Sequence, residues 1–238
     1  MRANCLGLTL WFPVVAIVVA IVVGFTFLAG RPALATQIYS EGWNTPGDTA
    51  GWTPNVVGAS VGVPASGGNP GGFLDLIQGD IFPIIGAVGN FPPLIGNYAN
   101  AGINHVAFDI NLFSGLFTTT AFRVRFQDGS FNGWFFPVHY DGATGGWQHF
   151  SIAFDPTWTD AQAMAAGWVS DPSPVVDFAT TLSDVFQPEI RLIGNGTNLH
   201  AGLDNFSVDT RAVPEPATVV LLGAAIAALR LSRRRYLR

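Results

Sequence analysis

His105-Val106-Ala107-Phe108-Asp109-Ile110-Asn111-Leu112 is the stretch that decides the fold. Val106, Phe108, Ile110 and Leu112 alternate with Ala107, Asp109 and Asn111, the period of two of a strand with one buried and one wet face. Phe122-Arg123-Val124-Arg125-Phe126 repeats the pattern, with arginines on the wet face. Working outward, further β-rich runs lie at 37–43, 72–77, 134–139, 147–154, 188–193 and 203–208, broken by Gly, Pro, Asn and Asp. With no helical heptads and no repeating unit, this spacing predicts an all-β fold, an antiparallel β-sandwich of the jelly-roll kind. One or two short helices are expected, Asp160 to Ala166 behind Thr159 as its cap and Asp177 to Val185 ahead of Pro188. Residues 79–102, GDIFPIIGAVGNFPPLIGNYANAG, carry too many prolines and glycines for a regular helix. They read as an apolar loop packed over the end of the sandwich or, alternatively, as an exposed ligand-binding loop.

Both ends of the chain differ from this middle. Met1 and Arg2 precede an almost continuous apolar stretch from Leu6 to Ala29, and Ala33-Leu34-Ala35 before Thr36 fits a small-x-small cleavage site. Residues 1–35 therefore read as a secretory signal peptide, with an uncleaved N-terminal anchor as the other reading. Cys5 stands too early for a lipoprotein signal. At the other end Val213-Pro214-Glu215-Pro216 is stiff and extended, because proline fixes φ and lacks a backbone N–H. From Ala217 to Leu229 only Thr218 interrupts the apolar run, 13 residues where a comfortable span needs about 20. Arg230 can snorkel, and Arg233, Arg234, Arg235 and Arg238 hold the end in the cytoplasm by the positive-inside rule. An ordinary tail anchor would share these last two parts.

The order of motif, short transmembrane helix and arginine-rich tail in residues 213–238 resembles the PEP-CTERM sorting signal of Gram-negative bacteria. That resemblance implies recognition by a membrane-embedded exosortase, with Val213, Pro214, Glu215 and Pro216 as the sorting and processing motif and Arg230, Arg233, Arg234, Arg235 and Arg238 as retention charges. It also implies transient anchoring in the inner membrane, use of the secretion machinery, and delivery to the outer surface or an exopolysaccharide matrix.

Between the two ends, 36–212 is long enough for one domain with a sizeable core. Between Thr36 and Val213 the chain holds four arginines, no lysine and fifteen carboxylates, a formal balance of −11 against −5 for the whole chain. Phosphate backbones would repel such a domain, which excludes nucleic acid as a partner and favours cations and neutral sugars. No cysteine follows Cys5, so disulfides and thiolate metal sites are excluded.

The ordered landmarks 91–97 (FPPLIGN), 105–110 (HVAFDI), 146–152 (GWQHFSI), 177–179 (DFA), 189–192 (EIRL) and 202–206 (GLDNF) are similar to those of laminin type IV (laminin B) domains. This likeness implies a jelly-roll sandwich related in shape to carbohydrate-binding modules. It carries over no ligand site.

Six indoles fall in this region, and aromatic faces stack on pyranose rings. Trp134 and Trp147 stand at strand starts and read as packing. Trp43, Trp52, Trp158 and Trp168 lie in turn-rich segments and are the candidate carbohydrate platforms. Glu41 and Asp48 flank the first strand and Asp204 precedes the last. In a jelly roll these strands often lie side by side, which would assemble an oxygen-rich calcium site, although the same carboxylates serve equally as turn caps. There is no G-x-S-x-G, no H-E-x-x-H and no Gly-rich loop opening a helix. Asp155 and Glu189 could pair as in a glycosidase, but so could any two of the carboxylates. His105, His139, His149 and His200 are scattered singly. Two function classes follow: a non-enzymatic surface or matrix protein that binds exopolysaccharide or forms structure, and a secreted glycoside hydrolase or other hydrolase with an unrecognised site. The missing motifs favour the first.

Overall fold

The computed structural model describes residues 35–79, 82–126, 132–140, 146–171 and 176–210, with the side chains of 126, 196 and 197 left out. Residues 35–211 make up one compact unit. The expected signal peptide, the sorting motif Val213 to Pro216, the arginines from Arg230 to Arg238 and the expected C-terminal transmembrane helix lie outside the described residues. Among those described, no helix is long and apolar enough to cross a membrane.

Ten strands form one antiparallel sheet folded over on itself: β1 Thr36–Glu41, β2 Thr53–Pro54, β3 Ala59–Gly62, β4 Leu74–Gln78, β5 Ile84–Val88, β6 His105–Phe126, β7 Gly133–Val138, β8 Gln148–Ala153, β9 Val169–Ser170 and β10 Val185–Thr210. The expected strands at 106–112 and 122–126 are one: β6 runs unbroken for 22 residues through both alternating stretches. In the same way the runs at 188–193 and 203–208 are parts of the 26-residue β10. Each long strand passes through both halves of the sandwich. The first half of β10 pairs with β5 and the second half of β6; its second half pairs with β4, β1 and the first half of β6. Register shifts in β10 at Ile193/Gly194 and between Asn195 and Ala201 mark the bend, since bulges kink and twist a strand.

The core lies between the halves. Val106, Phe108 and Ile110 of one β6 segment, Phe122 and Val124 of the other, and Ile190, Leu192, Leu203 and Val208 of β10 are fully buried. The alternation expectation is half right. Ala107, Asp109 and Asn111, expected to be wet, are also buried, as is Arg123. Asn69 and Asn205 both donate to Asp109 Oδ2, at 3.1 and 2.8 Å, and His149 holds its Oδ1 at 2.6 Å, so a polar layer covers that outer face.

The described residues also form three short helices: α1 Tyr98–Ala101, α2 Asp160–Ala165 and α3 Phe178–Ser183. Thr159 caps α2 in a reciprocal box with Gln162, and Asp177 Oδ1 accepts from Thr180 N at 2.7 Å to cap α3. The segment 79–102 is not a plain loop. It contains β5, a five-residue apolar run inserted between Pro83 and Gly89, and α1, capped by Asn97 and ended by Gly102 at φ 71°.

Candidate functional site

On β6 and β10, once Phe122, Val124, Ile190 and Leu192 turn to the core, the intervening residues must share the opposite face. The register sets them side by side: Glu189 opposite Arg123, Gln187 opposite Arg125, Arg191 opposite Ala121 and Ile193 opposite Thr119. On one flank β7 places Phe135 opposite Arg123, and on the other β5 places Gly86 opposite Arg191. Three of the four arginines between Thr36 and Val213 therefore meet on one sheet face. Arg211 lies outside the described residues.

The polar groups on this face hold one another. Glu189, 1% exposed, accepts from Arg125 at 2.9 Å and Arg123 at 3.4 Å through Oε2, and from Asn55 Nδ2 at 2.8 Å through Oε1. Arg123 also ion-pairs with Asp171, whose backbone N–H donates to Gly133 O at 2.9 Å. Burial lowers the Arg123 guanidinium to about 10, and the positive charges of Arg125 and Arg191 add to the effect while Glu189 opposes it. Beside this network is a cavity of about 290 Å³. Arg123, Arg191 and Asp171 supply its charged wall, and Ala121, Phe135 and Ile193, with Thr119, its largely apolar one. Such a mixed surface can take the apolar face of a small polar molecule on one side and its hydroxyl or acidic groups on the other. Two other cavities, about 380 Å³ along Leu112–Thr120 and Val138–Tyr140 and about 550 Å³ beside Pro54–Val57 and Phe82, are lined by no Asp, Glu, Lys or Arg.

The residues singled out by sequence lie elsewhere. Trp43, Trp52 and Trp168 are each 1% exposed, and no sugar can stack on a ring enclosed by the core. Trp52 packs against Trp43, Phe91 and Phe206 with centroids 5.8, 6.5 and 4.8 Å away. Their turn-rich surroundings conceal that the turns fold back over the sandwich. Trp158 is half-buried and stacked on Phe178 at 6.2 Å. Trp134 is buried and donates to Val176 O, whereas Trp147 is half-buried and donates to Gly67 O.

The calcium candidates are only partly gathered. Asp204 is fully buried, and burial raises its carboxyl above the usual carboxylate range, against the lowering effect of the Asn69 and Asn205 backbone N–H groups; Asp109 and Glu41 contribute to the rise. Glu41 Oε1 accepts from the N–H of Gly42 and Trp43 at 3.0 and 2.7 Å, and Asp48 Oδ1 accepts from Ala50 N at 2.9 Å. Each carboxylate thus caps backbone. Among the described residues no group of three or more His, Cys, Asp or Glu side chains could hold a metal ion. The histidines also remain apart, His105 with Asp209, His149 with Asp109 and His200 with Asp75, each at 2.6 Å.

Arg123, Arg125, Asp171 and Arg191 were the site residues not anticipated, and Glu189 was singled out only as a possible glycosidase partner of Asp155. The available signal was the alternation of two arginines in β6 and of Glu189 with Arg191 in β10, in a region with almost no other basic residue.

Residues 212–235 match the PEP-CTERM protein-sorting motif. No curated protein matches the chain. Among solved structures, the family 11 carbohydrate-binding module of the cellulosomal cellulase Lic26A-Cel5E of Clostridium thermocellum is similar at 13% identity and a TM-score of 0.46, over 73% of this chain and 95% of that one. The CBM22-1 xylan-binding domain of Paenibacillus barcinonensis Xyn10C is similar at 16% identity and a TM-score of 0.47, over 78% of this chain and 100% of that one. An exo-beta-agarase is similar at 13% identity and a TM-score of 0.49, over 75% of this chain and 25% of that one. At TM-scores below 0.5 these likenesses carry no argument about a ligand. Of the expected laminin type IV likeness, the fold carries the β-sandwich and nothing specifically laminin-like.

Proposed function

We propose that the protein is exported, sorted through its C-terminal signal by an exosortase after transient anchoring in the inner membrane, and held at the outer surface or in the matrix of a Gram-negative bacterium. There its sandwich acts as a non-enzymatic module that binds exopolysaccharide on the face carrying Arg123, Glu189 and Arg191. The observation that supports the binding reading is the cavity of about 290 Å³ beside a fixed, buried polar network. Donors and acceptors locked by their neighbours need no reordering when a hydroxyl-rich ligand arrives. Phe135 and Ile193 supply an apolar wall for the carbon face of a sugar ring.

The hydrolase reading has less support on this face. Both of its carboxylates are held in ion pairs with Arg123, whereas glycoside hydrolysis needs two carboxyl groups free to flank the scissile bond. Asp155, its sequence-level partner, is occupied in a local turn with Thr157.

The test is affinity electrophoresis of the full chain in mild detergent, through gels containing host exopolysaccharide, β-glucan or xylan, alongside chromogenic glycosides. Retardation by at least one polymer without turnover is the expected result. Unchanged mobility in every gel would remove the binding reading, and release of chromophore would favour the hydrolase.

A further inference from the structure

Arg191 stands on β10 in the wall of the cavity, opposite Ala121 on one side and Gly86 on the other. Both carboxylates on this face are already engaged, Glu189 by Arg123, Arg125 and Asn55, and Asp171 by Arg123. Arg191 has no such partner among the described residues. Its Nε is buried with no hydrogen-bond partner, and the charge it acts on is that of Arg123, which has the same sign. Among the described residues the face thus holds three guanidinium groups against two carboxylates, a local positive excess in a domain whose formal balance of −11 otherwise disfavours anions. A part-buried cation beside another cation is unfavourable until an anion arrives.

The cavity tells which anion fits. At about 290 Å³ it is at the small end of ligand pockets, which run from about 300 Å³, and it suits a single sugar ring. The planar fork of a guanidinium matches the two oxygens of a carboxylate. Resting on the polysaccharide reading above, we propose that this cavity is the subsite for a uronate residue of an acidic polysaccharide, with Arg191 receiving the sugar carboxylate and Phe135 and Ile193 lining its ring. A sulfate ester offers similar negative oxygens, and the experiment separates the two.

The full chain in mild detergent is titrated with an oligogalacturonate, with its carboxyl-reduced neutral counterpart, and with a sulfated galactan oligosaccharide. The oligogalacturonate is expected to bind about tenfold or more tightly than its reduced form, the increment of one charge-assisted pair. Arg191→Gln should lower the affinity for the oligogalacturonate to about that for its reduced form, abolishing the preference, and Arg191→Lys should restore part of it. Because the comparison of acidic with reduced ligand uses the unaltered protein, it does not depend on how the variants fold. Equal affinity for the acidic and neutral forms, or an undiminished preference in Arg191→Gln, would overturn the uronate assignment and leave polysaccharide binding standing. Preference for the sulfated ligand would overturn the carboxylate assignment. Absence of binding to all three and to neutral glucan and xylan would overturn both readings together.

Discussion

Trp168→Ala should lower the stability of the sandwich by about 3–5 kcal/mol and its melting temperature by roughly 6–20 °C, the ranges for emptying a large aromatic site in a domain of this size. Trp168 follows α2, and its ring lies 5.1 Å from Phe178, 5.5 Å from Phe154, 5.7 Å from Phe136 and 6.2 Å from Phe122. Those four rings come from α3, the residue just after β8, β7 and β6, so no single element can move in to fill the space. Trp168→Phe should cost under about 1.5 kcal/mol, because much of the volume remains and the buried indole N–H, which has no partner, is removed. Urea unfolding of the two variants checks this. A loss below about 1 kcal/mol for the alanine variant would contradict the placement of Trp168 in the core and return it to the list of possible sugar platforms.

Glu189→Ala should be comparably damaging, at about 3–5 kcal/mol, for an electrostatic reason. Glu189 and Arg123 are 1% and 2% exposed, so solvent screens their interaction little. Removing the carboxylate takes away the acceptor that Arg123 and Arg125 share and leaves Asn55 Nδ2 without its acceptor. Replacing Arg123 as well, in Arg123→Met/Glu189→Leu, should recover a large part of the loss, because the cost is that of an uncompensated charge rather than of missing contact area. Chemical denaturation of the single and double variants measures the coupling. A double variant no more stable than Glu189→Ala would show that the charges are not coupled.

Sequence reading reached the fold class because a period of two and recurrent breakers are local signals, legible in Val106 to Leu112 without knowledge of the partner strands. It split β6 and β10 into two strands each, because the residues between the alternating stretches, such as Gly115 and Gly194, look like terminators. In the folded chain they are bends within a ladder that continues. The indoles misled for a related reason. A tryptophan beside glycine and proline looks like loop surface, and only the tertiary fold shows that the segment around Trp43 and Trp52 closes over Phe206. The site itself was visible only as an oddity of composition. That Arg123, Arg125 and Arg191 were scarce could be counted, but that they become cross-strand neighbours depends on the register between β6 and β10, which no local pattern encodes.

The two long strands also set how the molecule breathes. Since β6 and β10 each belong to both halves of the sandwich, neither half can open while the other keeps its full ladder, and the amides around Leu192 and Leu203 are bound to exchange through the same global event. Any ligand held beside Arg191 would then slow hydrogen exchange in the distant half too, through an unbroken backbone and with no change of shape.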